Sequence, residues 1–286
     1  MATEPTIWIV GPCALDVVLY VDKFPESGHF TQPREVVRRV GGSPANVAVA
    51  LASAGVKTSL VTAMGSDEVG EQLRERLGAV PFDSLVVNES DGESNQVLVI
   101  VEPDGERTIV GLSGGNLGEI NLVGQDLSAE DSVVFVNWHP SFADDLEYAR
   151  KNGCTTFVGL GAIQDTTVSA DYAFGSLSDL PKGYEAVAPL DRFSKVVITR
   201  GAKGSTLYSA EGEIHQDAIR APQVIDTTGA GDAFLAGFLV EYAQGDKVGA
   251  RGLAAGAHWA SIMVGLKESI PLPRQTGLVG SSTPDS

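Results

Sequence analysis

Hydrophobic and polar positions follow two different periods along this chain. Short apolar runs such as Ile7–Val10 predict buried strands, whereas stretches with one apolar stripe, such as residues 67–77, predict helices. Further strands are predicted at 58–62, 133–136, 155–159, 186–188 and 195–199, and further helices at 43–54, 230–243 and 248–264. Because strands and helices alternate, we expect βαβ units, and hence an α/β fold around a mostly parallel central sheet.

Two segments interrupt this alternation. Residues 17–40 mix β-branched positions with arginines, and residues 95–111 hold two apolar runs around the turn Pro103-Asp104-Gly105. Mixed patterns of this kind are typical of antiparallel strands with one face in water. We therefore predict that both segments join in a small β-sheet that acts as a lid. The arginines expected to coat that lid are Arg34, Arg38 and Arg39.

The chain shows no internal repeat and no low-complexity linker between folding units. We therefore expect one domain over residues 1–286, into which the two lid segments are inserted. Residues 272–286 are rich in Pro, Gly, Ser and Thr, a composition that predicts a flexible tail.

Composition and charge argue against several classes of protein function. The chain has 286 residues, of which 43% are hydrophobic, so it can bury a full core and is not expected to be disordered. Its formal net charge of −17 argues against nucleic-acid and anionic-membrane partners, since both need a positive surface. The charge does not argue against ATP, because backbone amides and a metal ion can hold phosphates.

The compartment is predicted from targeting signals and cysteines. No apolar run reaches the roughly 18 residues needed to span a bilayer, and residues 1–5 do not resemble a secretory signal. Two cysteines, Cys13 and Cys154, make no disulfide framework and are interpreted as reduced thiols. We therefore expect a cytoplasmic protein without a membrane partner.

The segment Asp226-Thr-Thr-Gly-Ala-Gly-Asp232 carries the strongest chemical signal. Gly229, Ala230 and Gly231 leave backbone N–H groups open at a predicted helix start, where the helix dipole also favours an anion such as phosphate. A carboxylate at Asp232, beside such an anion, suits a base that takes the proton of an attacking hydroxyl. The alternative is an ordinary aspartate in the first turn of a helix.

Two further segments carry weaker signals. In Gly41-Gly42-Ser43-Pro44-Ala45-Asn46 the glycines permit close approach or a hinge, Ser43 is the expected N-cap, and Asn46 projects from the helix start. Residues 199–204 follow an apolar strand directly, and ligands bind at the carboxyl ends of such strands. Taken alone, each segment also fits a purely structural turn.

In this order and spacing, the segments resemble the ribokinase-like (PfkB) family of carbohydrate kinases. Residues 41–54 resemble its N-terminal signature, residues 226–238 resemble its C-terminal one, and the resemblance spans roughly 7–271. It implies a ribokinase-like three-layer fold with a small lid sheet. It also implies an enzyme that phosphorylates a sugar hydroxyl with ATP and Mg²⁺, without a Walker A sequence.

The resemblance implies roles for single residues. Asp232 matches the catalytic base, and the anion hole matches Gly229, Ala230 and Gly231. The matches to sugar-binding positions are Asp16, Gly41, Gly42 and Asn46. The matches to the nucleotide-binding turn are Thr199, Arg200, Gly201, Ala202, Lys203 and Gly204, with Gly231. In some members the positions of Asp226 and Thr228 hold a monovalent cation such as K⁺.

The sequence also departs from the family pattern. Asn-x-x-Glu, which helps to organise Mg²⁺, is missing between Thr155 and Thr199, and Asn116-x-x-Glu119 lies too early to replace it. Glu268 stands where glycine is common, which weakens the expectation of a K⁺ site. A nucleoside kinase and a non-catalytic sugar or nucleotide sensor therefore stay open as alternatives. A homodimer through the exposed edge of the lid is one expected assembly.

Overall fold

The computed structural model describes residues 4–159, 161–180 and 189–267. The strand predicted at 186–188, the tail predicted at 272–286 and Glu268 lie outside the described residues.

Strands and helices alternate through most of the described chain, as the sequence predicts. The strands are β1 (Ile7–Val10), β2 (Ala14–Tyr20), β3 (Glu35–Gly41), β4 (Thr58–Gly65), β5 (Ser84–Ser90), β6 (Gln96–Val101), β7 (Arg107–Ser113), β8 (Ser132–Phe135), β9 (Thr155–Gly159), β10 (Ala170–Ser176), β11 (Phe193–Thr199), β12 (Ser205–Ser209) and β13 (Gly212–Gln216). The helices are α1 (Ser43–Ser53), α2 (Glu68–Gly78), α3 (Ala143–Lys151), α4 (Gly161–Gln164), α5 (Ala230–Ala243) and α6 (Ala250–Met263). Short 3₁₀ turns lie between several of these elements.

A large sheet forms the centre of the protein. Within the described residues it contains nine strands in the order β13-β12-β11-β10-β9-β8-β1-β4-β5. The strands from β11 to β5 are parallel to their neighbours, and only β12 and β13 pair antiparallel. The prediction of a mostly parallel α/β sheet is confirmed.

Helices cover both faces of this sheet. Ile7 and Ile9 of β1 pack in a core with α1, α2, α5 and α6, whereas Trp8 and Val10 pack in a second core with α3 and α4. Successive strand residues point to opposite faces, so one short strand contributes to both cores. The result is the expected three-layer fold.

The two segments that interrupt the alternation meet in a separate small sheet. Its four described strands lie in the order β3-β2-β6-β7. Strand β2 pairs antiparallel with β3 and parallel with β6, and β6 pairs antiparallel with β7. The predicted sheet is present, and within the segment 17–40 its second strand begins only at Glu35. Its action as a lid stays a prediction.

The start of α1 differs from the prediction. The N-cap is Gly42 and not Ser43, which is the first helical residue. Gly42 has a φ of 85°, and a Cβ there would lie 2.7 Å from the carbonyl oxygen of Pro12. Both the backbone conformation and the contact therefore require glycine at the cap. Among the helices of the described chain, none is long and apolar enough to cross a membrane.

Candidate active site

The two glycine-rich segments meet where α1 and α5 begin. Asn46 in the first turn of α1 donates from Nδ2 to Oδ2 of Asp232 in the first turn of α5, at 2.8 Å. Asn46 is buried and Asp232 is half-buried. The two residues are 186 positions apart in sequence, so the fold brings two predicted site residues into direct contact.

The surroundings of Asp232 raise the pKa of its carboxyl group. Burial is the largest cause, and it is opposed by hydrogen bonds from Asn46 and Ser43 and by the positive charge of Arg107. A carboxylate with a raised pKa binds a proton more tightly than an exposed one, which suits a general base. Ser43 therefore contacts the carboxylate of the site instead of capping α1.

The start of α5 has open space and unpaired amides. Its N-cap Gly229 has a φ of 80°, and the nearby Ala233 amide donates to the Gly229 carbonyl at 2.8 Å. Within the described part of the chain, no hydrogen bond uses the amides of Gly231 and Asp232. A Cβ placed on Gly231 would meet nothing within 4 Å. Unpaired amides beside open space at a helix N-terminus suit an anion.

Asp16 lies on β2 opposite β3, and Gly41 gives it room. A Cβ on Gly41 would lie 2.0 Å from Oδ1 of Asp16, so any larger residue would displace the carboxylate. Asp16 is 6% exposed, and its pKa is raised to about 6, chiefly by burial. The charges of Asp232 and Asp226 raise this pKa further, whereas Arg39 lowers it. The carboxylates of Asp232 and Asp226 and the Arg39 guanidinium therefore all act on Asp16.

The raised pKa of Asp16 predicts a pH-dependent stability. Because this pKa rises from 3.8 to about 6 on folding, the folded protein binds the proton more tightly than the unfolded chain between those values. The free energy of unfolding should fall as the pH rises through this window, because the folded state must then hold Asp16 ionised in a buried position. This cost to stability should be fully present above about pH 6. Asp16→Asn removes the cost and should raise the free energy of unfolding at pH 7 by roughly 1–3 kcal/mol.

Urea unfolding of both proteins at about pH 4 and pH 7 measures this difference. We expect the gain from Asp16→Asn to be small at the lower pH, because Asp16 is protonated in the folded state and still partly protonated in the unfolded state there. An equal effect at both pH values would show that ionisation of Asp16 is not its cause.

Asp226 is paired with Arg39, which corrects the expectation that Arg39 coats the surface of the small sheet. Asp226 is fully buried, and its Oδ2 lies 3.2 Å from Nη2 of Arg39, which is 8% exposed. Tyr20 donates to the same oxygen at 3.5 Å, and the Thr228 amide donates to Oδ1 at 2.8 Å. The carboxylate predicted to hold a monovalent cation is thus already neutralised by a side chain. These residues do not fit a K⁺ ion.

The β6–β7 turn contacts the loop before α5. Arg107 donates to Oγ1 of Thr227 at 2.7 Å, and that hydroxyl donates to the carbonyl of Gly105 at 3.1 Å. The small sheet therefore touches the loop that contains the predicted anion hole.

The predicted nucleotide turn lies at the carboxyl end of β11. Gly201, Ala202 and Lys203 form an exposed 3₁₀ turn, and Arg200 is held by Thr206 and Tyr208 on β12. Gly204 has a φ of 83°, and a Cβ there would lie 2.1 Å from the Gln216 carbonyl oxygen. In the described ranges no hydrogen bond joins this turn to Asp232. Parallel strands place the turn and the β1 end at the same edge of the large sheet.

Few of the described side chains near the candidate site could bind a metal ion directly. The residues that the structure describes contain no cluster of three or more His, Cys, Asp or Glu suited to a metal ion. Asn116 donates to the Ala63 carbonyl and accepts from Asn95, so it serves a structural contact. Mg²⁺ commonly binds with several waters and substrate phosphates, and such a mode needs few protein ligands.

Comparisons with known proteins agree with this geometry. The sequence profile described as pfkB family carbohydrate kinase matches residues 5–135 and 175–275. A nucleoside kinase from Methanocaldococcus jannaschii is 27% identical, covering 91% of this chain and 91% of its own length. A ribokinase from Arabidopsis thaliana is 27% identical, covering 94% of this chain and 79% of its own. A crystal structure of the Methanocaldococcus jannaschii nucleoside kinase, an archaeal member of the ribokinase family, has a TM-score of 0.75 at 25% identity. The match covers 96% of this chain and 98% of that one.

Proposed function

The chain belongs to the pfkB family of carbohydrate kinases, and on this premise we propose that it transfers the γ-phosphoryl group of ATP directly to a sugar hydroxyl. The observation that carries the proposal is the part-buried Asn46–Asp232 hydrogen bond beside the unpaired amides of Gly231 and Asp232. A base next to an anion site is what direct transfer to a hydroxyl requires.

Asp232 is the proposed base. Asn46 donates to Oδ2 of this carboxylate and, together with Ser43, fixes its orientation toward the substrate hydroxyl. As the hydroxyl attacks in line, its proton passes to Asp232, and the amides at the start of α5 stabilise the charge on the transferred group. Bound Mg²⁺ supplies further charge neutralisation on the ATP phosphates, which hold it together with water.

The other predicted site residues have binding roles in this proposal. Asp16 accepts hydrogen bonds from sugar hydroxyls, Gly41 leaves space for its carboxylate, and Gly42 lies against the sugar. Residues 199–204, with Gly231, bind the nucleotide at the carboxyl edge of the sheet. The small sheet closes over the sugar as a lid and keeps water from the phosphoryl group. Its contact from Arg107 to Thr227 supports this role.

A nucleoside is the second candidate substrate, because a nucleoside kinase is among the relatives that match over most of their length. An ADP-release assay across pentoses, hexoses, sugar acids, phosphosugars and nucleosides distinguishes the two. The proposal expects ADP release with a sugar acceptor. Release with nucleosides alone would replace the sugar proposal, and silence across the panel with ATP binding intact would favour a non-catalytic sensor.

The outer edge of the small sheet is a candidate dimer surface. Strand β7 exposes Ile109, Val110 and Leu112, at 55%, 44% and 52% of their surfaces. Exposed apolar edge strands pair readily with a second copy. We expect light scattering to give twice the chain mass of 29.9 kDa and Leu112→Lys to reduce the dimer fraction. A wild-type protein that is monomeric at all concentrations would contradict this assembly.

The cysteines support a reducing compartment for this enzyme. Cys13 and Cys154 are both buried and form no disulfide. This state is usual for cytoplasmic proteins, and we propose that compartment.

A further inference from the structure

A buried ion pair lies directly before the proposed anion hole. Asp226 has no exposed surface, and its carboxylate contacts the Arg39 guanidinium at 3.2 Å. Arg39 also donates from Nη1 to the carbonyl of Lys267. A carboxylate buried without a cation is strongly unfavourable, so Asp226 needs a positive charge at this position.

Asp226 begins the loop that leads to the unpaired amides. Its Oδ1 accepts from the Thr228 amide at 2.8 Å, which fixes the backbone just before the α5 N-cap, Gly229. Whatever neutralises Asp226 therefore also holds the shape of the proposed phosphate-binding loop. In this chain the neutralising group is a side chain from β3 of the small sheet.

The surroundings of Asp226 exclude a second cation. Its Oδ2 is already shared by Arg39 and Tyr20, and the ammonium group of Lys267 lies 5.0 Å from the centre of the Tyr20 ring. A metal ion beside the guanidinium would be repelled in a region from which water is removed. These contacts disagree with the monovalent cation that the family resemblance implies.

We propose that the Arg39 guanidinium is the resident cation of the loop before α5, so that phosphoryl transfer by this chain needs no monovalent metal ion. Arg39 is then a positioning residue, which acts on the anion hole through Asp226. The kinetic part of this inference rests on the proposed kinase function, whereas its ion-binding part does not.

Replacing Arg39 should create the missing metal site. Arg39→Ala leaves the buried Asp226 carboxylate without its cation. The hydroxyl of Thr228, whose amide donates to the same carboxylate, is buried without a partner among the described residues. Both groups offer oxygen ligands, and a dehydrated K⁺ can restore the lost charge. The matched control is Arg38→Ala, which removes an exposed arginine from the neighbouring position of β3.

The experiment compares KCl with tetramethylammonium chloride at constant ionic strength. Wild type and Arg38→Ala should have the same unfolding temperature in both salts, and kcat values within about twofold. In tetramethylammonium chloride, the kcat of Arg39→Ala should be about tenfold or more below that of wild type. Added K⁺ should restore the kcat of this variant and raise its unfolding temperature, and both effects should saturate as the K⁺ concentration increases.

Two results would overturn the inference. One is a saturable rise of wild-type kcat or unfolding temperature with K⁺; the other is an Arg39→Ala variant that equals wild type in both salts. If Arg39→Ala does not fold, the test uses Arg39→Lys, which retains the positive charge. The kcat and unfolding temperature of Arg39→Lys should not depend on K⁺, and a dependence of either on K⁺ would overturn the inference. If the wild type phosphorylates nothing, the kinase proposal fails, and the unfolding temperatures still decide the ion-binding part.

Discussion

Asp232→Asn should lower kcat by about 10²–10⁴-fold without disturbing the fold, because the amide cannot accept the proton of the substrate hydroxyl. The side chains have nearly the same shape, and burial already raises the pKa of Asp232, so loss of its charge should not reduce stability. Steady-state rates at saturating ATP and acceptor measure the loss. Thermal unfolding of the same samples tests the fold.

The matched control for this variant is Asp144→Asn. Asp144 also lies in the first turn of a helix, α3, but it is exposed. If Asp232 were an ordinary aspartate at a helix start, the two variants would have similar and nearly normal rates. Near-normal turnover of Asp232→Asn would therefore refute its assignment as the base.

Gly41→Ala should lower kcat/KM for the acceptor by about 10- to 100-fold, the effect of losing one or two hydrogen bonds to a charged group. The added Cβ would lie 2.0 Å from Oδ1 of Asp16, so the carboxylate must leave its position. The backbone of Gly41 is in an ordinary strand conformation, so the expected defect arises from this contact alone. ATP binding should be unchanged.

Gly78→Ala provides the control for Gly41→Ala. A Cβ on Gly78, the last residue of α2, would meet nothing within 4 Å. This variant should retain the wild-type kcat/KM and be equally or slightly more stable, since alanine favours a helix. Equal kcat/KM values for the two variants would show that Asp16 does not need its present position for acceptor binding.

Much of the fold could be predicted from the sequence because it rests on local periodicity. The apolar run at Ile7–Val10 and the stripe in 67–77 each encode one element, and their alternation implies a parallel sheet. The segments 17–40 and 95–111 break the pattern visibly, and the small sheet follows from them. Glycines with special conformations likewise marked the loops before α1 and α5.

The contacts among polar side chains could not be predicted in the same way. Arg39 lies on a strand with exposed neighbours, and its partner Asp226 is 187 residues away in sequence. Burial of that pair depends on how the small sheet packs on the loop before α5, which no local pattern encodes. The sequence predicts Asn46 as a sugar contact, yet its side-chain amide donates a hydrogen bond to the carboxylate of Asp232. The sequence predicts both residues as site residues, whereas their pairing follows only from the tertiary structure.

The central claim is that this chain transfers phosphoryl groups from ATP to an alcohol, with Asp232 as the base. The most direct test mixes the purified protein with ATP, Mg²⁺ and the acceptor that releases the most ADP, and measures ADP and phosphorylated acceptor together by mass spectrometry. The account predicts equal amounts of the two products with wild type, and at least about 100-fold slower formation of both products with Asp232→Asn. ADP formed without phosphorylated acceptor, or product formed equally by both proteins, would contradict it.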